Sequence, residues 1–138
     1  MNGWIFIDKP KNITSFKVIQ KLRKILKIKK IGHSGTLDPF ATGILAIAIG
    51  EATKSIQYFN PNKVYLFNIV FGESKDTDDI SGRTINKSTI IPKKEDIDQC
   101  LKKFIGKHTQ VPPQYSAVKV NGQRAYKLAR NNKKFEIQ

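Results

Sequence analysis

Gly32-His33-Ser34-Gly35-Thr36-Leu37-Asp38-Pro39-Phe40-Ala41-Thr42-Gly43-Ile44-Leu45-Ala46-Ile47-Ala48-Ile49-Gly50 reads as a bent loop that runs straight into a buried strand. Gly32, Gly35 and Pro39 break regular structure across residues 32–42. Residues 43–50 are apolar on both alternating faces, the pattern of a central strand covered on each side. The loop therefore holds a carboxylate, Asp38, at the entrance to a rigid element, a common way to present functional groups. Pro39 stiffens the backbone and removes one donor. A bare Asp-Pro pair also makes an ordinary turn, so this pair alone leaves both readings open.

Working outward, residues 3–8 form an apolar strand stopped by Lys9-Pro10. Thr14 or Ser15 caps a helix reaching to about residue 27. Phe16, Ile19, Leu22 and Ile25/Leu26 share one face of it, and Lys17, Lys21 and Lys24 the opposite one. For such a helix a basic stripe is more commonly just a solvated face. Beyond the central strand, residues 51–60 read as a short helix ended by Asn60-Pro61, and 63–71 as the strongest strand. Residues 72–82 are an acidic loop, and 93–104 a helix with Gly106 just past its end. Val111-Pro112-Pro113 interrupts regular structure. Asn121-Gly122 is a two-residue hairpin turn after 116–120, residues 125–131 form helical turns, and 135–138 begin a strand-like pattern. With no repeat and no linker, one mixed α+β unit is expected.

Composition narrows the class. A chain of 138 residues, 39% of them hydrophobic, is large enough for one core. No apolar run approaches the roughly 20 residues of a membrane-crossing helix. Trp4-Ile5-Phe6-Ile7 is cut off by Asp8, too soon for a secretory signal. Cys100 is the single cysteine, which rules out an internal disulfide and fits a reducing cytoplasm. Lysine and arginine number 25 against 11 acidic residues, a formal charge of +14. Such a surface suits a polyanion that releases counterions on binding. Lysine-, isoleucine- and asparagine-rich usage also follows from genome-wide bias, so charge alone leaves that alternative open.

Other chemistries fit the loop badly. Gly32-His33-Ser34-Gly35 lacks the spacing of a hydrolase nucleophile elbow. His33, His108 and Cys100 are too few and too scattered for zinc. Gly50-Glu51-Ala52-Thr53-Lys54-Ser55 lacks the second glycine of a phosphate-binding loop. A carboxylate working without metal or cofactor is what remains.

Gly32-His33-x-Gly35-Thr36-Leu37-Asp38-Pro39-x-Ala41-x-Gly43-x-Leu45 closely resembles the signature of the TruB family, whose members isomerise uridine-55 in the TΨC loop of tRNA. Three further blocks agree in order and spacing: Gly3-x-x-x-x-Asp8-Lys9-Pro10 with Thr14-Ser15, then Gly50-Glu51-Ala52-Thr53-Lys54, then Gln110-Val111-Pro112-Pro113-x-Tyr115-Ser116-Ala117-Val118-Lys119 with Gly122, Arg124-Ala125-Tyr126 and Leu128-Ala129-Arg130. The resemblance runs almost end to end.

It implies an α+β fold, a mixed, mostly antiparallel sheet with flanking helices, incomplete here. It makes Asp38 the nucleophile, attacking base or sugar, with no cofactor and no metal. A free aspartate, with a pKa of about 3.9, is ionised at neutral pH and needs only placement. His33 matches the family's wedge in the opened RNA loop, and Tyr65 the tyrosine that stacks on the extruded base. Asp76, in Lys75-Asp76-Thr77 where the family usually has Thr-Asp-Thr, is implied to orient an active-site group. Lys119, Arg124 and Arg130 fall in an RNA-contacting insertion, residues 116–132, which the resemblance makes a phosphate-binding hairpin. Family members are about twice this length, so residues 1–138 correspond to the N-terminal portion of the catalytic domain. A second tyrosine, an arginine paired with the nucleophile and a C-terminal RNA-binding domain are expected elsewhere. The implied partner is the TΨC stem-loop of tRNA, bound by a monomeric cytoplasmic protein with no membrane association. A tRNA-binding module without catalysis, and a relative that modifies ribosomal RNA with guide RNA, are the competing readings.

Overall fold

The computed structural model describes residues 1–60, 62–113, 115–116, 118–131, 135 and 137, with Arg130 described in its backbone alone. The sequence suggests one unit, whereas the chain divides into two compact units, Met1–Leu66 and Phe67–Gln138. Among the described residues no helix is long and apolar enough to cross a membrane.

The first unit is built on a three-stranded antiparallel sheet in the order β1-β3-β2. Strand β1 is Gly3–Lys9, β2 is Ile31–His33 and β3 is Gly43–Ile49. The central strand is the one that the apolar run predicts, and Leu45 through Ile49 are all buried. Register sets the two faces. Ile5 pairs with Ile47, Ile7 with Leu45 and Ile31 with Ile49, so these side chains point the same way. Helix α1, Ser15–Leu26, covers that face. Val18 and Ile19 join Ile31, Leu45, Ile47 and Ile49 in the core, with Leu22, Leu26, Ile28 and Leu37 packed around it. Each such side chain stabilises the fold by roughly 1.5–3 kcal/mol when fully buried.

The buried stripe of α1 differs from the expected one. Ser15, Val18 and Ile19 face inward, while Phe16 and Ile25 are exposed. Both choices satisfy a helical period; the true stripe is rotated because Ser15 is drawn into the interior by hydrogen bonds to the loop. Thr14 is the N-cap, its hydroxyl accepting from Lys17 N–H at 3.1 Å. Lys17, Lys21 and Lys24 lie on the solvent side, as read.

Over the other face, residues Gly50–Tyr58 wind as a tight 3₁₀ helix where an ordinary helix over 51–60 was expected. Thr53 and Ser55 hydroxyls donate to the carbonyls three residues back, at 2.8 and 2.7 Å, which suits the tighter turn. Trp4 stacks on Phe59 with ring centroids 4.8 Å apart. Gly50 has φ of +61°, and Asn2 and the Met1 carbonyl occupy the space a Cβ would need. Gly50→Ala is therefore expected to lower stability by roughly 1–3 kcal/mol, read as a shift in urea midpoint. On the same turn, hydrogen bonds from Lys30 and Lys54 hold the Glu51 carboxyl at about 2, well below its ordinary 4.5.

Residues 63–71, the strongest strand by sequence, form no strand: 63–70 take no regular structure and Phe71 lies in a turn. Val64 and Leu66 are fully exposed, and Phe67, Ile69 and Val70 largely so. A strand is made by its neighbour, and none of the described strands pairs with this segment.

In the second unit, β4 (Glu73–Lys75) and β5 (Thr84–Lys87) pair across the acidic segment, so the expected loop over 72–82 begins with a strand. Helix α2 is Lys94–Lys102, close to the expected 93–104, with Asp96 accepting from Lys93 N–H at 3.2 Å. Strands β6 (Lys119–Val120) and β7 (Gln123–Arg124) form the Asn121-Gly122 hairpin, followed by helix α3, Ala125–Arg130. Asn121 and Gly122 have φ of 49° and 80°, the backbone such a tight turn requires. Residues 136 and 138 of the expected last strand lie outside the described residues.

Candidate active-site loop

The β2–β3 connection carries Asp38. What was read as loop from Gly32 onward begins as strand: Gly32 pairs with Ala48 and His33 with Ile47, and Ser34 N–H still donates to the Ala46 carbonyl at 3.0 Å. The hairpin stem thus takes Gly32 and His33, the first two residues of the expected loop. His33 lies on the sheet face shared with Ile47, partly buried, and its Nδ1 has no hydrogen-bond partner among the described residues.

Asp38 begins a turn in which Ala41 N–H donates to the Asp38 carbonyl at 3.1 Å, with Pro39 next, where its fixed φ suits the turn. Its side chain is exposed and makes no hydrogen bond or ion pair among the described residues. That sets it apart from Asp76 and Asp79 in the acidic segment of the second unit, whose carboxylates are spent on local structure. Asp76 Oδ1 accepts from Arg83 N–H at 2.8 Å, closing that loop. Asp79 Oδ1 accepts from Thr77 Oγ1 at 2.8 Å and Ser81 N–H at 2.7 Å. Partial burial pushes the Asp79 carboxyl up, but the hydrogen bonds from Ser81 and Thr77 outweigh it and hold it below the ordinary value.

The backbone on each side of Asp38 is tied to residues 9–15. Leu37 exchanges two hydrogen bonds with Ser15: its N–H donates to Ser15 Oγ at 2.9 Å, and Ser15 Oγ donates to its carbonyl at 3.0 Å. Pro39 accepts from Asn12 N–H at 2.7 Å and from Lys9 Nζ at 3.4 Å. Asn12 holds φ of 64°, a conformation asparagine tolerates better than most residues. Lys9 is wholly buried, and its Nζ also donates to the Pro10 and Ile13 carbonyls, both at 2.9 Å. None of these three roles is visible in the opening block as a motif. One signal was present: Lys9 continues the inward register of Ile5 and Ile7, a polar side chain due for burial.

Tyr65 belongs to the first unit, in the unpaired 63–71 segment, and is 66% exposed. Its neighbour Lys63 reaches the Asp38 loop, since a Cβ on Gly35 would lie 3.4 Å from Lys63 Cε. The structure gives no hydrogen bond or ring contact joining Asp38, His33 and Tyr65 directly. Asp76, Lys119 and Arg124 lie in the second unit. There Lys119 and Arg124 are directly opposite in the β6–β7 ladder. The Arg130 side chain lies outside the described residues.

Residues 23–138 match the family described as TruB family pseudouridylate synthase, N-terminal domain. The chain is similar to the tRNA pseudouridine synthase B of Ehrlichia ruminantium, with 52% identity over 99% of this chain and 47% of that protein. It is 54% identical to the protein of the same name from Ehrlichia chaffeensis, over 95% of this chain and 45% of the relative. The chain thus spans about half the length of these curated relatives. Among solved structures, a chain of a Cbf5–Nop10–Gar1 complex is similar over 85% of this chain and 31% of its own length, with 31% identity and a TM-score of 0.55. The expected class stands: helices with antiparallel sheets, forming an incomplete pseudouridine synthase fold. With an end-to-end likeness and the aspartate loop in place, this chain belongs to the TruB family of pseudouridylate synthases.

Proposed function

We propose that the protein carrying this chain isomerises uridine-55 in the TΨC loop of tRNA, with Asp38 as nucleophile. The observation that supports this best is the state of Asp38: exposed and uncommitted, on a loop whose flanking residues are both fixed. A carboxylate nucleophile needs placement against its target carbon rather than an activating base. In the reaction the N1–C1′ bond breaks, a C5–C1′ bond forms, the C5 hydrogen leaves as a proton and N1 gains one. The balance calls for no redox partner. The relatives' names and their identity above 50% favour tRNA over a guide-RNA-directed substrate.

The remaining roles follow the family's positions. His33 acts as the wedge in the opened loop, and Tyr65 stacks on the extruded uracil, where such contacts are worth roughly 1–3 kcal/mol per base. Asp76 orients a neighbouring group of the site. Lys119, Arg124 and Arg130, within the insertion 116–132, contact phosphate, and the protein works as a cytoplasmic monomer. The β6–β7 register sets Lys119 directly opposite Arg124, so the two basic side chains share one face of the hairpin. Replacing both by alanine is expected to reduce the magnitude of the log–log salt slope of tRNA binding by about 1.4, two phosphates at about 0.7 each. An unchanged slope would remove them from the interface.

The direct test is single-turnover pseudouridine formation on a tRNA transcript by the whole protein, beside a transcript carrying cytidine at position 55. Product with the first and none with the second is the expected result; product elsewhere in the tRNA would overturn the site assignment. Residues 1–138 alone are expected to be inactive or nearly so, because 63–71 then stands without a ladder partner and Asp38 without the family's arginine. Near-normal turnover by that fragment would refute this.

A further inference from the structure

We infer that Ser15 is a positioning residue for Asp38, acting through the backbone of Leu37. The inference rests on the reading of Asp38 as nucleophile.

Ser15 opens helix α1, yet the helix does not need its hydroxyl there. Thr14 is the cap and already satisfies the Lys17 N–H. Ser15 is instead 1% exposed, and its Oγ both accepts from Leu37 N–H at 2.9 Å and donates to the Leu37 carbonyl at 3.0 Å. A hydroxyl is one of the few side-chain groups able to do both at once. It serves Leu37 as a neighbouring strand residue would, supplying a two-way pairing where the loop has left the sheet.

The position of that pairing matters. Leu37 precedes Asp38 and Pro39 follows it, and Pro39 is held by Asn12 N–H and Lys9 Nζ. Asp38 is the single residue between two anchored neighbours, and its own side chain is held by nothing among the described residues. The accuracy with which the carboxylate meets its target carbon is thus set by the backbone on either side. On the upstream side the Leu37 side chain packs against the core, and the hydrogen-bonding restraint on its backbone is one hydroxyl. Without it Leu37 has an N–H and a carbonyl to satisfy in a half-buried place, and the loop shifts to do so. Misplacement of a reacting group by about 1 Å is enough to slow a reaction about a hundredfold.

The test uses the whole protein and tRNA, with kcat and tRNA affinity measured separately. Ser15→Ala is expected to lower kcat about 10- to 100-fold with Kd changed less than about threefold. Ser15→Thr keeps the hydroxyl and is expected to recover most of the loss. Ile49→Val, at the end of β3 away from the loop, serves as a variant with a comparable fall in Tm and an unaltered kcat. Should Ser15→Ala fail to fold, Ser15→Cys keeps the volume with a weak donor and acceptor, and the same kcat loss is expected. A kcat within twofold of native in Ser15→Ala or Ser15→Cys overturns the inference, as does a loss that Ile49→Val reproduces. Asp38→Asn is run alongside. If it retains activity, the nucleophile reading fails; if it is dead while the Ser15 variants are fully active, only the positioning role fails.

Discussion

Asp38→Asn in the whole protein is expected to abolish pseudouridine formation while leaving tRNA binding intact. The amide keeps the size and shape of the carboxylate but has no anionic oxygen to attack with, so the loss should be on the order of 10⁴-fold or more. Folding should be untouched. Asp38 is exposed and its side chain carries no hydrogen bond among the described residues, and such surface changes usually stay within about 0.5 kcal/mol. Affinity should hold steady or rise slightly, since a negative charge facing a polyanion is removed. Tritium release from C5-labelled uridine in tRNA reads the chemistry, and filter binding reads the affinity. Retained turnover would dismiss the nucleophile; lost binding with lost turnover would point to a protein that only holds RNA.

The largest expected loss of stability is at Lys9. Lys9→Ala removes a wholly buried side chain whose Nζ serves the Pro10, Ile13 and Pro39 carbonyls. Three acceptors lose a donor and a narrow void replaces the stem, together about 3–5 kcal/mol. Against a typical total of about 5–15 kcal/mol, that is enough to unfold much of the protein on warming. Lys9→Met refills the channel but still leaves the carbonyls unserved, so it should recover only the packing share. Urea midpoints of the three proteins separate the two contributions. Equal midpoints for Lys9 and its alanine variant would mean that the three carbonyls find water instead.

These two residues also show where sequence reasoning succeeded and stopped. The loop that carries Asp38 was legible because Gly35 and Pro39 punctuate it and an apolar strand follows it, while the role of Asp38 came from the family resemblance alone. For Lys9 the strand alternation hinted at burial, but its bond to the Pro39 carbonyl, 30 residues away, had no local sign. A separation of 22 residues likewise hid the Ser15–Leu37 exchange, and with it the rotation that exposes Phe16 and Ile25.

By itself the chain's order of residues determined what is local: the apolar run of β3, the Thr14 cap and the amphipathic turns of α1, the Asn121-Gly122 hairpin, the excess of positive charge and the block that names the family. Each rests on interactions within a few residues or on composition, and a one-dimensional reading contains them. Tertiary structure decided the rest: that β2 extends into the loop, that 63–71 has strand chemistry but no ladder, and that Ser15, Asn12 and Lys9 grip the backbone around Asp38. Those outcomes depend on which distant group arrives opposite a hydrogen-bonding site. A backbone donor or acceptor is satisfied by whatever the fold brings to it, and the residues beside it in sequence do not say what that will be.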